Sequence, residues 1–486
     1  MKTLFSLLLI AVAPGFAQVP AQYQSIYSLV NTQISAFDST LLQGWDGTKY
    51  PNMSAPQLET ASSDLFMSLL GQYQYSTQIE PQLSDIQAAG ANAVTIHIDF
   101  PILYQPFYSS NPSQYQQFVT FYQQLMQDVH SRGMKVIVET DVATVFPGAN
   151  TSSFAAYYQS LSWTQYMEGR AANALNIVQQ IKPDYLTVIT EPDSEATNST
   201  QANAGTVTGS TELLQMIMTA LKGNRNGVSV GAGAGTWITD YTDYVTNFLA
   251  QPIDFLDMHI YPVNNDFLPR ALTGAQMAHA AGKKVGMSEC WDWKILNSEL
   301  NVLSLVDIEG RNPFGFWAPL DQLFLKTMND FGQIGQLEFI SPFWTHYFEA
   351  YISYATYGSL SPSDVLNQSY TAAGTAASEG KFTSTGRYYE QLLISSPDTT
   401  PPATPAAPTV SAGYTTANLS WPKDTDNVGV AGYLIFRNGQ LLQRINELTF
   451  DDSGLSENTE YVYTMEAFDA AGNISAMSPE TTINTY

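Results

Sequence analysis

The chain has 486 residues, with 44 Asp+Glu against 19 Lys+Arg, a formal net charge of −25, 44% apolar residues and only 13% charged ones. Domains usually hold roughly 100 to 200 residues, and only α/β barrels or large all-β folds routinely exceed that, so the length points to one large domain plus a smaller unit. The 28 Tyr, 24 Phe and 8 Trp supply ample core and exclude a disordered chain; the acidic surplus, with no local Lys/Arg cluster, excludes nucleic acid as an expected partner.

The chain opens MKTLFSLLLIAVAPGFAQ, with Lys2, an apolar stretch from Leu4 to Val12, and small residues at Gly15 and Ala17. This pattern predicts a cleaved signal peptide over 1–17 and an exported protein that starts near Gln18. No later run reaches the roughly 18 apolar residues of a membrane span, so no transmembrane segment is expected. Cys290 is the one cysteine, which excludes an intrachain disulfide and a Cys-based zinc site.

From Gln18 to Ser396 helical and buried-strand patterns alternate. In YQQFVTFYQQLMQDVHSRG, Phe118, Tyr122, Leu125 and Val129 follow helical spacing, Gly133 suits a C-terminal cap, and the strand KVIVETD follows. Strands are predicted at DLFMSLLG, AVTIHIDF, KVIVETD, DYLTVITEP, VSVGAGAG, DFLDMHIYP, KVGMSECW and LEFISPFW. They suit an α/β fold of the (β/α)8 barrel type better than an open doubly wound sheet. Residues 18 to about 55 precede the first of these strands and remain unplaced. GAGAG after Val230 lacks the helix start and acidic partner of a dinucleotide site, so no cofactor is expected.

The stretch SSPDTTPPATPAAP reads as a semi-rigid linker, taken as residues 397–407. Behind it, 408–486 carries short alternating runs divided by Gly, Asn and Asp turns, the pattern of a small β-sandwich. Trp421, Gly432-Tyr433, the Asn438-Gly439 turn and the spacing Leu455, Thr459, Tyr461 make the segment resemble a fibronectin type III domain.

Polar residues that end the apolar strands of such a barrel face its active end. Glu191 closes the fourth strand and Glu289 the seventh. Two carboxylates on one rim can flank a glycosidic bond, one protonating the leaving oxygen and the other attacking the anomeric carbon. The retaining version of that reaction wants them about 5 to 5.5 Å apart. The arrangement is similar to clan A of the glycoside hydrolases, which place the acid/base Glu on strand 4 and the nucleophile Glu on strand 7. The resemblance extends to His259 and Tyr261 of HIYP, the Tyr contacting the nucleophile, and to Trp344 as the platform beneath the sugar. It departs at Thr190, where clan members carry the Asn that contacts the sugar 2-hydroxyl; a Thr hydroxyl offers fewer hydrogen bonds.

Further candidates line the same rim: His97 and Asp99 after the second strand, Glu139 and Asp141 after the third, and Trp237, Trp291 and Trp293 as stacking faces for a pyranose. Glu195, in the loop after Glu191, is a lesser candidate for the acid. His97, His259 and His346 lack metal-motif spacing, so no dedicated metal site is expected. The long connection from Asn297 to Gly335 is a candidate cleft wall, with Phe316 or Trp317 reaching substrate, or else an ordinary helix with a tight lead-in. These readings imply a secreted retaining glycosidase acting on β-linked neutral polysaccharide or oligosaccharide. The alternative is a barrel that binds carbohydrate or a cell surface without cutting. A barrel aldolase or isomerase would want a strand-end Lys or a phosphate loop, and neither is present.

Overall fold

A computed structural model of the chain describes residues 19–43, 45, 50–58, 75–143, 152–393, 399–426, 430–445, 448–469 and 473–486. The larger unit is built on eight parallel strands: β1 (Met53–Ser54), β2 (Ala93–His97), β3 (Lys135–Glu139), β4 (Tyr185–Thr187), β5 (Ser229–Gly235), β6 (Phe255–Ile260), β7 in two pieces (Lys284–Val285 and Met287–Cys290) and β8 (Phe339–Pro342). Strands β2 to β8 pair in chain order and β1 pairs with β8. A parallel bridge from Gln57 to Thr95 ties the end of β1 to β2, which closes the ring into a (β/α)8 barrel.

The first strand differs from the sequence reading. DLFMSLLG, with the predicted leader, lies outside the described residues, and Met53–Ser54 fills the place beside β8. The backbone amides of Met53, Ala55 and Gln57 donate to the carbonyls of Glu338, Ile340 and Pro342 at 2.8, 2.8 and 2.9 Å. So short and polar a segment carries no alternating run, and only its partner strand makes it β. The unplaced N-terminal stretch contains a helix, Gln24–Leu42, which buries Ile26, Val30, Ile34, Phe37 and Leu41. That spacing gives one apolar stripe, packed on the helix Ala318–Ile334 through Phe37 and Phe331. Lys326 ties the two helices, reaching Asp38 at 3.0 Å and Asp330 at 2.7 Å.

The helix Pro112–Ser131 buries Phe118, Tyr122, Leu125 and Val129 as their spacing predicts, and Gly133 turns the chain at φ +75°. GAGAG is strand β5. A Cβ on Gly233 would stand 2.1 Å from the Asp257 carbonyl, so these glycines let β5 lie against β6. The connection Asn297–Gly335 is not a cleft wall. Trp317 is fully buried against Tyr23 and Tyr27, Phe316 stacks on Tyr23, and Ala318 opens the long helix.

Along each strand, side chains of one parity enter the barrel. At the N-terminal end Ala55, Ala93, Ile137, Phe255 and Phe339 form an apolar plug, with Tyr185 against it. One level higher Thr95 and Ser341 share a hydrogen bond of 2.6 Å. Higher still, β2, β3, β6 and β7 present His97, Glu139, His259 and Glu289. The interior thus passes from hydrocarbon to charge toward the C-terminal mouth.

Residues 409–484 form two antiparallel sheets: Thr409–Ala412, Thr416–Ser420 and Thr449–Ser453 in one, and Gln440–Ile445, Val430–Arg437, Glu460–Asp469 and Thr481–Asn484 in the other. Between them Trp421, Tyr433, Ile435, Tyr463 and Met465 make the core. Asn438 and Gly439 both take positive φ, +51° and +75°, as a two-residue hairpin turn requires. This sandwich rests on the barrel's N-terminal helix. The Tyr27 hydroxyl donates to the Arg444 carbonyl, and the Arg444 guanidinium lies buried over the Phe468 ring, 3.5 Å from its centre. Among the described residues no helix is long and apolar enough to cross a membrane.

Candidate active site

Register explains how residues from distant parts of the chain meet. His97 pairs with Glu139 across β2 and β3, and His259 with Glu289 across β6 and β7. The barrel's width then lets the two pairs touch. His259 Nε2 stands 2.9 Å from Glu139 Oε2, and His97 Nε2 stands 2.8 Å from Glu289 Oε1.

Glu191 arrives from the side. The chain beyond β4 stays extended, with Val188 N donating to Gly231 O and Gly233 N to Ile189 O. Pro192 then opens the helix Pro192–Ser199, leaving Glu191 as its N-cap residue. Its Oε1 is 2.8 Å from His259 Nδ1, and the Ser194 hydroxyl donates to its Oε2 at 2.5 Å. An oxygen of Glu191, an oxygen of Glu289 and a nitrogen of His259 all lie within 4.8 Å of one another.

The two carboxylates have opposite surroundings. Burial drives the Glu191 carboxyl above its ordinary 4.5; His259 pulls against this, while the charges of Glu289 and Asp193 add to it. Burial also pushes on Glu289, but the charges of His259 and His97 and the 2.5 Å hydrogen bond from the Tyr261 hydroxyl outweigh it and hold that carboxyl below 4.5. One group is built to keep a proton and the other to lose it.

Ser288 and Glu289 are consecutive, yet both reach His259, Ser288 Oγ at 3.1 Å from Nε2 and Glu289 Oε2 at 3.3 Å from Nδ1. The pairing of β7 with β8 shifts register between Met287 and Cys290, and such an irregularity re-aims a side chain. Asp257, one level below, accepts from the Ser288 amide at 3.0 Å. Sequence parity does not reveal Ser288, Asp257 or Ser194 as neighbours of the site. Glu139 was visible as a rim acid, but its place between two imidazoles follows only from register.

The remaining candidates sort by exposure. The Tyr261 ring stacks on Trp293 with centroids 5.4 Å apart, and Trp237 stacks on Trp293 at 6.1 Å. Trp237 and Trp293 keep part of their faces open, and Trp237 Nε1 donates to Asp193 Oδ2 at 2.9 Å. Trp344 lies two residues past β8, beside Tyr261, but is only 4% exposed, while its neighbour Phe343 is more open and meets His97 edge-on. Trp291 is not on the rim. Although it shares the parity of Glu289, it lies past Cys290, the last residue of β7, and is fully buried behind Trp344, against Phe324, Tyr347 and Phe348.

Thr190 is also buried, its hydroxyl donating to Asp141 Oδ2 at 3.1 Å. Asp99 accepts from the Asp141 amide at 3.0 Å and stands 3.7 Å from His97 Nδ1, so it braces the mouth from behind. Glu195 is not a free acid: Arg170 meets it at 2.9 Å, and both are fully buried. His346 stands away from the other two histidines, against Tyr370 with ring centres 4.7 Å apart. The groups His97, Glu139 and Glu289, or Glu139, Asp257 and His259, bring donor atoms within 4.8 Å. Their imidazole nitrogens already face carboxylate oxygens at 2.8 to 2.9 Å, and we read the cluster as a charge-paired network.

Comparison with known proteins adds partial likenesses. No family model matches the chain. It is 48% identical over 90 residues to chitinase Chi52 of Paenibacillus xylanexedens, covering 18% of this chain and 17% of that one. It is 30% identical over 232 residues to an alpha-amylase of Niallia circulans, covering 45% of this chain and 17% of that one. The chain therefore spans less than a fifth of the length of these curated relatives. Among solved structures, a β-glucuronidase of Bacteroides uniformis aligns over 90% of this chain and 46% of its own, at 11% identity and a TM-score of 0.40.

Proposed function

We propose that this protein is a secreted retaining glycoside hydrolase of the clan A type that cleaves β-glycosidic bonds in a neutral polysaccharide or oligosaccharide. The observation that carries this reading is the Glu191–Glu289 pair in the barrel mouth, with oxygens within 4.8 Å and opposite protonation biases. So close an approach of their nearest oxygens is compatible with the closely spaced pair of a retaining enzyme, about 5 to 5.5 Å between carboxyl groups. An inverting pair stands about 6.5 to 9.5 Å apart to admit water between.

In the first step Glu289 attacks the anomeric carbon while Glu191 gives its proton to the leaving oxygen, so the glycosidic C–O bond breaks as a glycosyl ester forms. In the second step Glu191, now a carboxylate, takes a proton from water, and the resulting hydroxide oxygen displaces Glu289. The half-open faces of Trp237 and Trp293 supply stacking surface for sugar C–H groups. The buried Thr190 hydroxyl, engaged with Asp141, makes a weak substitute for the 2-hydroxyl contact of the clan. The mouth is framed by carboxylates, imidazoles and aromatics, which disfavours a polyanionic glycan.

The likeness to proteins named chitinase and alpha-amylase supports a carbohydrate-active role, and the leader pattern supports export. We assign 1–17 as leader, 18–396 as the hydrolase unit, 397–407 as linker and 408–486 as a fibronectin type III module. The module's identity is supported by the Ser456 amide donating to the Tyr461 hydroxyl at 3.0 Å, the hydrogen bond of a tyrosine corner. The test is reducing-sugar release on β-glucans, mannans, galactans, xylans and chitin, with Glu289→Ala beside the parent. Release abolished by the substitution, with the first product retaining anomeric configuration by NMR, supports the reading; a first product of inverted configuration overturns the mechanism, and binding without release favours the non-cutting barrel.

A further inference from the structure

Glu139 closes β3 and is fully buried at the floor of the mouth. A carboxylate carried so deep needs compensation, because its desolvation costs several kcal/mol unless an opposite charge or hydrogen bonds offset it. Its compensation is two imidazoles. Glu139 Oε2 is 2.9 Å from His259 Nε2, whose other nitrogen is 2.8 Å from Glu191. Glu139 Oε1 is 3.9 Å from His97 Nε2, which is 2.8 Å from Glu289. The five side chains run in order Glu191, His259, Glu139, His97, Glu289, a path through one buried acid that lies beside the direct bridge of His259 Nδ1 to Glu191 and Glu289 at 2.8 and 3.3 Å.

We propose that Glu139 is a positioning residue for the cleavage reaction: through His259 and His97 it orients both catalytic carboxylates and determines which of them holds the proton. The inference rests on the glycosidase reading above. Two carboxylates facing both nitrogens of His259 require either an N–H on each nitrogen, hence a cation, or a proton on one of the acids. The ionisable groups around Glu139 are His97 and Asp99 from β2 and its exit, Asp257, His259 and Tyr261 from β6 and its exit, Glu289 from β7, and Glu191 after β4. Within that set the imidazoles are the cations. Burial works against the charge on each, yet the surrounding carboxylates raise both well above 6.5. Glu139 itself is pushed up to about 7, by burial first and by Glu289 second.

The consequence has a sign at the imidazoles. Removing the negative charge of Glu139 weakens proton binding by both. Two effects then act on Glu289 and Glu191 with opposite signs: loss of the Glu139 charge lets both release protons more readily, and any loss of charge from the imidazoles makes both hold them more tightly. Activity needs Glu289 ionised and Glu191 protonated, so a change in the charge network between them moves the limbs of the pH profile from their positions in the parent. A residue that only filled space would leave the limbs where they are.

The test is Glu139→Gln in the full chain. The expected result is a melting temperature within about 4 °C of the parent, KM within about threefold, kcat down about tenfold or more, and displaced limbs of the pH profile. The chain has only 5 His, so nitrogen NMR can follow His97 and His259 directly, assigned by single His→Gln variants. Both should carry two protons at pH 7 in the parent and lose one at lower pH in Glu139→Gln. Unmoved limbs and unmoved imidazole titrations in a folded variant overturn the proposal. Should Glu139→Gln fail to fold, neutral His97 and His259 in the parent at pH 7 would overturn it equally. Should the parent cut no glycan while the imidazoles still respond to the substitution, the glycosidase reading falls and the charge coupling stands.

Discussion

Tyr261 shows how one hydroxyl can divide labour between two chemically identical groups. It donates to Glu289 and not to Glu191, and together with the two imidazoles it offsets the burial that acts on both acids. Tyr261→Phe removes a hydrogen bond to a charged group, so kcat should fall about tenfold or more, and the acid limb should move up because Glu289 then protonates more readily. The parent's profile follows from the same two shifts. Activity is gained as pH rises through the Glu289 value, below 4.5, and lost as pH rises through the Glu191 value, above 4.5; the optimum is therefore mildly acidic. A profile still climbing through pH 9 would contradict this. Glu191→Gln, which cannot protonate the leaving oxygen, should lose about 10² to 10⁴ in kcat on substrates with a poor leaving group.

The strand ends of β3 and β4 must be held if the mouth is to keep its shape, and one side chain does much of this. Arg170, on the helix Trp163–Asn176, is fully buried. It donates to the carbonyls of Thr140 and Val188 at 2.9 and 3.0 Å, and to Glu195 through Nε at 2.9 Å and Nη2 at 3.2 Å. Because Glu195 belongs to the helix that Glu191 caps, this contact anchors the proposed acid from behind. Arg170→Met keeps the bulk but leaves Glu195 buried with no counter-charge and only the Tyr166 hydroxyl donating to its side chain, so unfolding by denaturant should show a loss of about 3 to 5 kcal/mol. On β7, Gly286 separates the two strand pieces, and a Cβ there would stand 2.3 Å from the Phe339 ring. Gly286→Ala should cost about 1 to 3 kcal/mol from overpacking, without touching any charged group of the mouth.

Across the whole molecule, the sandwich is seated on the barrel and is more than a tethered spacer. Tyr27 and Tyr388 are each 2% exposed beneath Arg444 and its strand. Ending the chain before residue 399 uncovers both rings, and the barrel alone should melt at least about 4 °C below the full chain by calorimetry. Equal melting temperatures would show that the contact contributes nothing to stability. The net charge of −25 acts at this scale too, disfavouring anionic polymers and nucleic acid before any contact forms.

What the sequence determined by itself was whatever local pattern encodes. Short apolar runs marked seven of the eight barrel strands, helical spacing marked Pro112–Ser131, and the Asn-Gly hairpin with the Tyr461 spacing marked the antiparallel unit. Strand-end position singled out Glu191, Glu289 and His97, because a barrel turns the C-terminal ends of its strands toward one mouth; His259 and Tyr261 came from the resemblance to clan A. The tertiary structure decided what depends on neighbours from elsewhere in the chain. Met53–Ser54 is a strand only because β8 offers it partners, and Trp291 and Trp317 are core only because helices close over them. Glu139 is an ordinary strand-end acid until register and barrel width set it between His259 and His97. The distance between charges, which decides where each proton resides, is a property of the closed ring and of no single segment.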